Sequence, residues 1–272
     1  MLREMNVAFI GSGKMAEAMI AGLLSNEVLA PQQIVATGPR KARARDLVKR
    51  FGIRASTDNR DACGCDVIVL SVKPKAATTV FRELKAEIAT DTLVISIMAG
   101  VALETIADGL GVDNVIRCMP NTPGRIRKGI TGVAANGISR KQLECGREIV
   151  KALGEEIFFD DETDLNMVTA LSGSGPAYFL LIAEAMIAPA VQRGMSQEHA
   201  RKLVLHTMLG TAQLALQSAN HLSELRDQVT SPGGTTAAAL YELEKGGLRT
   251  VIADAVHAAC EKSTMLGARK PA

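Results

Sequence analysis

The chain has 272 residues, which suits two domains of ordinary size, and 47% of them are hydrophobic, enough to fill a sizeable core. That apolar content excludes a disordered chain. The 31 Lys and Arg residues nearly balance the 29 Asp and Glu residues, and only 3% of the chain is aromatic. No strong electrostatic field or stacking surface is therefore available for nucleic acid or for an anionic membrane.

Short apolar runs alternate with helical patterns through the first 160 residues. The runs are rich in Val, Ile and Leu, as expected for parallel strands that are buried on both faces. We predict a doubly wound parallel α/β sheet of the Rossmann type over residues 1–160. Its predicted strands are Asn6–Ile10, Gln33–Ala36, Val67–Ser71, Leu93–Ser96 and Asn114–Cys118. Its predicted helices are Met15–Ser25, Arg43–Phe51, Ala76–Ile88 and Ala102–Leu110.

The pattern changes after about residue 160, and no strand is evident from Asp164 onward. Helical periodicity predicts an all-α domain over residues 161–272, with helices at Ala177–Arg193, Gln197–Ser218 and Thr236–Leu266. The second of these helices is apolar over much of its circumference and rich in Ala and Thr. So small a helical domain offers few neighbours to cover such a helix, which predicts a homodimer that packs its helical domains together.

Cysteine content and hydropathy favour a cytoplasmic protein. The five cysteines are an odd number without framework spacing, which is typical of reduced thiols. The close pair, Cys63 and Cys65, has no His or second Cys pair at zinc spacing, so no metal site is predicted. The longest apolar stretch, Ala177–Ala190, contains Glu184 and is shorter than the roughly 20 residues that span a bilayer, so we expect no membrane contact.

A glycine-rich turn follows the first predicted strand and opens a helix. It has the Gly-x-Gly-x-x-Ala spacing of a dinucleotide-binding turn. Gly11 permits the tight turn, Gly13 lets the backbone approach a pyrophosphate, and Ala16 lets the helix pack on the strand. The amides and dipole of the helix start would bind the phosphates, so the sequence predicts a dinucleotide site.

The end of the second strand bears on the choice between NAD(H) and NADP(H). NAD enzymes usually place an Asp or Glu there for the ribose hydroxyls, whereas this chain has Thr37 followed by Gly38, Pro39 and Arg40. Thr37 and the turn amides are candidates to hold a phosphate, and Arg40 can pair with it. We therefore expect NADP(H), with NAD(H) as the alternative. Lys73, after a later strand, lies where ligands of such sheets bind.

Two further glycine motifs precede predicted helices in the second half. Leu171–Tyr178 contains Ser174, Gly175 and Pro176 at positions that suit a cap and a first helical turn. Thr230–Thr236 has a similar composition. Each would present free amides and hydroxyls at a positive dipole end, which predicts a site for a carboxylate. Such a site suits reduction of an already basic nitrogen, as in an imine, by hydride transfer.

Together these motifs resemble pyrroline-5-carboxylate reductase, the last enzyme of proline biosynthesis. The resemblance covers nearly the whole chain and is carried by Phe9–Ala16, Val72–Pro74, Arg117–Pro123, Thr169–Tyr178 and Val229–Thr236. It implies NADP(H)-dependent reduction of 1-pyrroline-5-carboxylate to L-proline. It also implies a site shared between one subunit's nucleotide domain and helices of a partner, in homodimers that sometimes assemble into decamers.

The resemblance also implies roles for particular residues. Cofactor contacts are implied for Gly11, Ser12, Gly13, Lys14, Met15, Gly38, Arg40, Asn59, Ser71, Lys73 and Ala99. Substrate contacts are implied for Glu162, Ser172, Gly173, Ser174, Gly175, Gly233, Gly234, Thr235 and Thr236. The Thr236 hydroxyl is the expected catalytic group, either relaying a proton to the substrate nitrogen or only orienting it.

Two alternatives share the glycine turn. A β-hydroxyacid-type dehydrogenase would need a Lys acid or base in the helical half, where Lys202 and Lys245 lie outside any glycine motif. A non-enzymatic NADP-binding sensor would lack a substrate site, against which the two additional glycine motifs argue.

Overall fold

A computed structural model describes residues 2–268. The chain forms two compact units. The first comprises the residues up to Ser174 together with the described residues from Ala258 onward, and the second is Gly175–His257. This division differs from the one predicted at residues 160 and 161, because the chain remains with the first unit for a further 14 residues and returns to it near its end.

The first unit is built on an eight-stranded sheet in the order β3-β2-β1-β4-β5-β6-β7-β8. All neighbouring strands are parallel except β6 and β7, which are antiparallel. The order reverses beside β1, which creates a crevice at the carboxyl edge of the sheet. The strands are β1 (Val7–Ile10), β2 (Ile34–Thr37), β3 (Arg54–Ser56), β4 (Val67–Leu70), β5 (Leu93–Ser96), β6 (Val115–Met119), β7 (Gly129–Ala135) and β8 (Gly154–Phe159).

Five α-helices connect these strands and cover both faces of the sheet. The buried residues form two clusters, one on each face, so that Phe9 and its neighbour Ala8 belong to different clusters. The helices are α1 (Lys14–Ser25), α2 (Lys41–Phe51), α3 (Ala77–Leu84), α4 (Leu103–Leu110) and α5 (Arg140–Val150).

The predicted Rossmann-type sheet and its five predicted strands are confirmed to within a residue or two at each end. Within residues 1–160, three strands and one helix were not predicted. β3 is short and lies at the edge, β7 is rich in Gly and Ala, and β8 begins Gly154-Glu155-Glu156, so none shows a continuous apolar run. The missed helix is α5, although Ser139 and Gln142 form a capping box at its start.

The chain is helical after β8, and no strand occurs in the described residues beyond it, as predicted. The predicted helix Thr236–Leu266 is two helices, separated at Gly246 and Gly247; Gly247 has φ 71°, which ends the helical path. The helices are α6 (Asp164–Val168), α7 (Gly175–Gln192), α8 (Gln197–Gln217), α9 (Leu222–Gln228), α10 (Thr235–Lys245) and α11 (Leu248–Ala268).

The most apolar helical segment is longer than the sequence indicated. Asp164–Gln192 runs through α6, a π-helical segment and α7 as a 29-residue helical stretch, whose most apolar 18 residues have a mean hydropathy of 1.4. By length and composition alone it could cross a membrane, which corrects the length argument drawn from Ala177–Ala190. Only 11% of its most apolar 18 residues are buried within the chain.

The second unit buries very little of its own apolar surface. Within Gly175–His257 the buried residues are Gly175, Ala183, Ala200 and Val204. Large apolar side chains of the same unit are exposed, among them Phe179 at 60%, Leu181 at 66% and Leu209 at 56%. So extensive an apolar surface marks an interaction site.

Candidate active site

The glycine turn after β1 requires glycine at its first position. Gly11 has φ 98°, and its amide donates to the carbonyl oxygen of Thr37 at 3.0 Å. A Cβ at Gly11 would lie 2.7 Å from the backbone carbonyl of Ser71, closer than real Cβ contacts allow. The turn therefore joins the ends of β1, β2 and β4 at the point where the sheet order reverses.

The start of α1 is open to a ligand. Gly13 is the N-cap of this helix, no side chain caps it, and a Cβ built on Gly13 would have no atom within 4 Å. Lys14 is exposed in the first turn, Met15 is half-buried, and Ala16 is fully buried against the sheet. The first amides of a helix have no intrahelical partner, so this terminus can bind an anion through backbone donors.

A cavity of about 780 Å³ lies beside this turn. It is lined by Gly11, Gly38, Asn59 and neighbouring residues of α3, including Glu83. The Asn59 amide donates to a carboxylate oxygen of Glu83 at 2.8 Å, and Asn59 accepts a hydrogen bond from the Thr37 hydroxyl at 2.7 Å. The cavity suits the adenosine half of a dinucleotide by size and by its position at the switch in strand order.

The turn after β2 differs in part from expectation. The Thr37 side chain is fully buried and committed to Asn59, so the expectation that Thr37 holds a phosphate is wrong. The Gly38 amide donates to the carbonyl oxygen of Ser56 at 3.2 Å, and Ser12 packs against Gly38. Arg40, the N-cap of α2, is exposed and remains a candidate for phosphate pairing.

The other predicted cofactor residues of the first unit lie at the carboxyl edge of the sheet. The Ser71 hydroxyl, after β4, donates to the carbonyl oxygen of Gly11 at 2.6 Å and so braces the glycine turn. Lys73 is exposed at the start of a single 3₁₀ turn. Ala99 is half-buried in the segment after β5, just before Gly100, which has φ 73°.

Open space at Gly13, the positive φ of Gly11 and the adjoining cavity fit a bound dinucleotide. A side chain at either glycine would occupy the approach or distort the turn. The residues that would hold the pyrophosphate are Gly13 and the first residues of α1, and those that would face the adenosine are Gly38, Asn59 and Arg40.

Glu162 is anchored inside the first unit. Its Oε2 accepts a hydrogen bond from the Leu103 amide, at the start of α4, at 3.0 Å. The same oxygen pairs with Arg117 Nη1 at 2.9 Å. Arg117 is only 6% exposed, in the middle of β6, so Glu162 supplies the counter-charge that a buried guanidinium requires.

The first of the two later glycine motifs is not a loop. Thr169–Gly173 is a π-helical segment, and the Ser174 amide donates to the carbonyl oxygen of Thr169 at 2.8 Å. The prediction of a capped loop with free amides at Ser172–Gly175 is therefore wrong, because the chain enters α7 without leaving a helical path. Such π-bulges are frequent at functional sites.

The second motif has the expected form and belongs to the second unit. Gly233 has φ 69°, and Gly234 is the N-cap of α10 without any side-chain cap. Thr235 and Thr236 form the first turn, with Thr235 exposed and Thr236 half-buried. This helix start presents unpaired amides and two hydroxyls, a suitable combination for a carboxylate and a polar ring atom.

Two of the buried cysteines are unsuited to nucleophilic work. All five are free thiols. Burial raises the pKa of Cys145 to about 11, and burial also raises the pKa of Cys118, so both stay protonated near neutral pH. Within residues 2–268 no group of three His, Cys, Asp or Glu side chains could hold a metal ion.

Two arginines that hold the first unit together were missed from the sequence. Arg117 is a charge within an otherwise apolar strand, and such a residue signals a buried partner. Arg43 of α2 donates through Nε to the carbonyl oxygen of Ser12 at 2.9 Å. Only the three-dimensional fold brings α2 beside the glycine turn, so no sequence signal identifies this contact.

The fold and the glycine turn are those of a dinucleotide-binding oxidoreductase. A family model described as "NADP oxidoreductase coenzyme F420-dependent" matches residues 6–100, and one described as "Pyrroline-5-carboxylate reductase dimerisation" matches residues 162–266. The pyrroline-5-carboxylate reductase of Pseudomonas aeruginosa is 40% identical over 96% of both chains. The chain belongs to the pyrroline-5-carboxylate reductase family.

Solved structures agree. A pyrroline-5-carboxylate reductase from Coxiella burnetii superposes with a TM-score of 0.90 at 38% identity, covering 97% of this chain and 99% of the other. The Plasmodium falciparum enzyme, solved with NADP bound, gives 0.88 at 30% identity, covering 98% and 99%. The protein is therefore an NADP-dependent reductase of proline biosynthesis, not a β-hydroxyacid-type dehydrogenase or a non-enzymatic sensor.

Proposed function

We propose that 1-pyrroline-5-carboxylate binds at the start of α10 and is reduced there to L-proline. The observation that carries this assignment is the uncapped helix start at Gly233–Thr236, which leaves amide donors free. The amides of Thr235 and Thr236 would hold the substrate carboxylate, since an anion gains from both the donors and the helix dipole. Ser172, Gly173, Ser174 and Gly175 would line the ring.

The reaction needs little more than orientation and one polar contact at nitrogen. A reduced nicotinamide cofactor held at the glycine turn would supply a hydride to the carbon of the C=N bond. The Thr236 hydroxyl would form a hydrogen bond with the ring nitrogen, which becomes the secondary amine of proline. The hydroxyl either passes a proton to that nitrogen, directly or through water, or, where the imine is already protonated, accepts a hydrogen bond from its N–H and so orients it. No group with an altered pKa is required at this position.

Cofactor contacts are proposed for the glycine turn and for the carboxyl edge of the sheet. Gly11, Gly13 and the first residues of α1 would hold the pyrophosphate, and Arg40 would pair with the 2′-phosphate of NADP(H). Ser71, Lys73 and Ala99 would continue this surface toward the nicotinamide. Glu162 is proposed on the substrate side, where its bonds to Leu103 and Arg117 would hold the neighbouring segments in place.

We propose a cytoplasmic homodimer, in which a second copy covers the exposed apolar face of the second unit and contributes helices to the site. The exposure of Phe179, Leu181 and Leu209 supports it, because helices as apolar as α7 and α8 need more neighbours than one chain provides. Further assembly into decamers is part of the same proposal. A second copy also explains the apolar surface of Asp164–Gln192 without a membrane.

The role of Thr236 can be tested by following NADPH oxidation at 340 nm with 1-pyrroline-5-carboxylate. We expect Thr236→Ala to lower kcat/KM about 10²-fold, the usual cost of losing one donor in the transition state. The control is Thr90→Ala, because Thr90 is exposed in the first unit and lies outside both glycine motifs. Turnover by Thr236→Ala close to that of the control would contradict the assignment.

The role of Arg40 can be tested with the two cofactors. Arg40→Asp should weaken the binding of NADPH much more than that of NADH, because only NADPH carries the 2′-phosphate. Arg45→Asp makes the same charge change further along the exposed side of α2 and should affect neither cofactor selectively. Equal weakening of both cofactors by Arg40→Asp would refute the pairing.

A further inference from the structure

Arg43 differs from the other cations near the start of α2. Arg40, Lys41 and Arg45 are exposed, whereas the Arg43 side chain is 14% exposed. All five nitrogen-bound hydrogens of a guanidinium lie in one plane, so a single Arg can bond several acceptors in a fixed arrangement. A half-buried Arg in this position therefore needs specific hydrogen-bond acceptors.

Those partners are the glycine turn and two carboxylates. Nε of Arg43 donates to the carbonyl oxygen of Ser12 at 2.9 Å. Nη2 pairs with Oε2 of Glu17, in the first turn of α1, and Nη1 pairs with Oδ2 of Asp46 at 2.7 Å. The guanidinium thus joins α2 to the turn and to the helix start where a pyrophosphate would bind.

The bond to Ser12 fixes the orientation of one peptide group. The carbonyl of Ser12 and the amide of Gly13 belong to the same peptide unit, and the described chain has no cis peptide bond. In a trans peptide the C=O and N–H bonds point in opposite directions. Holding the Ser12 oxygen toward Arg43 therefore directs the Gly13 amide to the opposite side. Gly13 itself has no atom within 4 Å of a Cβ position.

The ion pairs with Glu17 neutralise a carboxylate that lies close to the anion site. A carboxylate in the first turn of α1 would repel the phosphates that the same turn has to bind. Arg43 and Arg50 both pair with Glu17, with Arg50 Nη1 lying 2.6 Å from Oε1. Burial alone would raise the pKa of Glu17, but these two guanidinium groups lower it to about 2, so the carboxylate stays ionised and neutralised.

We propose that Arg43 is a positioning residue for the cofactor: it holds the Ser12–Gly13 peptide so that the Gly13 amide faces the pyrophosphate. Arg43 acts through the protein backbone and does not touch the 2′-phosphate. Its contribution is therefore the same for NADPH and NADH, which share the pyrophosphate, and this separates its role from that proposed for Arg40.

The test is a titration of the intact protein with NADPH and, separately, with NADH, following nicotinamide fluorescence to obtain Kd. Arg43→Gln should raise both Kd values by the same factor, at least about tenfold, the cost of losing a charged hydrogen bond. Arg50→Gln is the matched control, because Arg50 contacts Glu17 and Asp46 but not Ser12. It should change either Kd less than about threefold, because Arg43 still neutralises Glu17 in this variant.

A second variant keeps the test decisive if Arg43→Gln folds poorly. Lys carries a single ammonium group in place of the planar guanidinium. Arg43→Lys should therefore keep the charge and still raise the Kd of both cofactors by the same factor. With either variant, kcat at saturating cofactor should stay within about twofold while the KM for cofactor rises. Weakening no greater than in Arg50→Gln, or weakening of NADPH alone, would overturn the proposal. Cofactor binding is measured without substrate, so failure of the Thr236 assignment would leave this result intact.

Discussion

The two units of this chain are both rich in apolar residues, yet only one of them buries its own. In the first unit β1 and β4 are fully buried, with helices on both faces of the sheet. In the second unit four residues of Gly175–His257 are buried, and side chains such as Leu209 remain exposed. A sheet between two helical layers has a complete core, whereas helices that are apolar nearly all round need additional neighbours.

The glycine motifs show the same contrast at smaller scale. Gly11 and Gly13 have the same spacing as Gly173 and Gly175. The first pair follows a buried strand and forms a turn with φ 98° at Gly11, and the second lies in a helical path that continues through a π-bulge. The spacing of two glycines therefore does not determine their conformation; the element that precedes them does.

The largest effect should come from adding a charge to the exposed apolar face of the second unit. Leu181→Glu in α7 and Leu209→Glu in α8 should each weaken a dimer by about 3–6 kcal/mol, since each change acts once in each of two copies. Sedimentation velocity over a range of concentrations measures this. Ile126→Glu, at a site in the first unit that is 73% exposed, is the control and should leave assembly unchanged. Unchanged assembly in both Leu variants would contradict the claim that the second unit needs a second copy to cover its apolar side chains.

The free energy lost when an ion pair is broken should also differ between the two units, by almost as much as the effect on the dimer. Arg117→Met should lower the free energy of unfolding by about 3–5 kcal/mol, because it leaves Glu162 without its counter-charge. Lys245→Met removes an exposed pair with Glu242 in the second unit and should cost about 0–1 kcal/mol. Urea denaturation at one fixed protein concentration compares them.

The double variant Arg117→Met/Glu162→Met sharpens this test. It should recover part of the loss, since both charges are removed together. A cost as small as that of Lys245→Met would show that the Arg117–Glu162 pair is not structural. A large rise in substrate KM for Glu162→Gln, with stability unchanged, would favour a direct substrate contact for Glu162.

A smaller difference is expected in the dependence of stability on pH. The pKa of Glu17 falls from 4.5 to about 2 on folding, so its ionised form stabilises the fold above pH 4.5, and this stabilisation is lost as the pH falls toward 2. Glu17→Gln should therefore be less stable than the parent near neutral pH, with the gap closing between about pH 4.5 and 2.

Glu244 in the second unit is the matched control. The hydrogen bond from the Arg249 side chain also holds its pKa below the usual range, but both groups are exposed. Glu244→Gln should show a much smaller gap across the same pH range, because solvent screens this pair. Thermal melts at several pH values measure both. A constant gap for Glu17→Gln would contradict the depressed pKa.

Much of the first unit could be read from the sequence. Continuous apolar runs such as Val67–Leu70 indicate strands that are buried on both faces, without any alternation of apolar and polar residues. The spacing of Gly11, Gly13 and Ala16 indicates the local turn. The start of α10 was equally readable, because Gly and Thr residues before a helix act through local backbone geometry. These features depend on neighbours in the chain, and so the sequence determines them by itself.

The tertiary structure decided the contacts between distant segments. The bond from Arg43 to Ser12 spans 31 positions and that from Arg117 to Glu162 spans 45, and no local pattern identifies the partner of either arginine. The burial of Thr37 and the π-bulge at Thr169–Gly173 likewise follow from packing rather than propensity. Local chemistry selects turns and helix starts, whereas a buried charge acquires its role only when folding brings its partner within a few ångströms and removes the water between them.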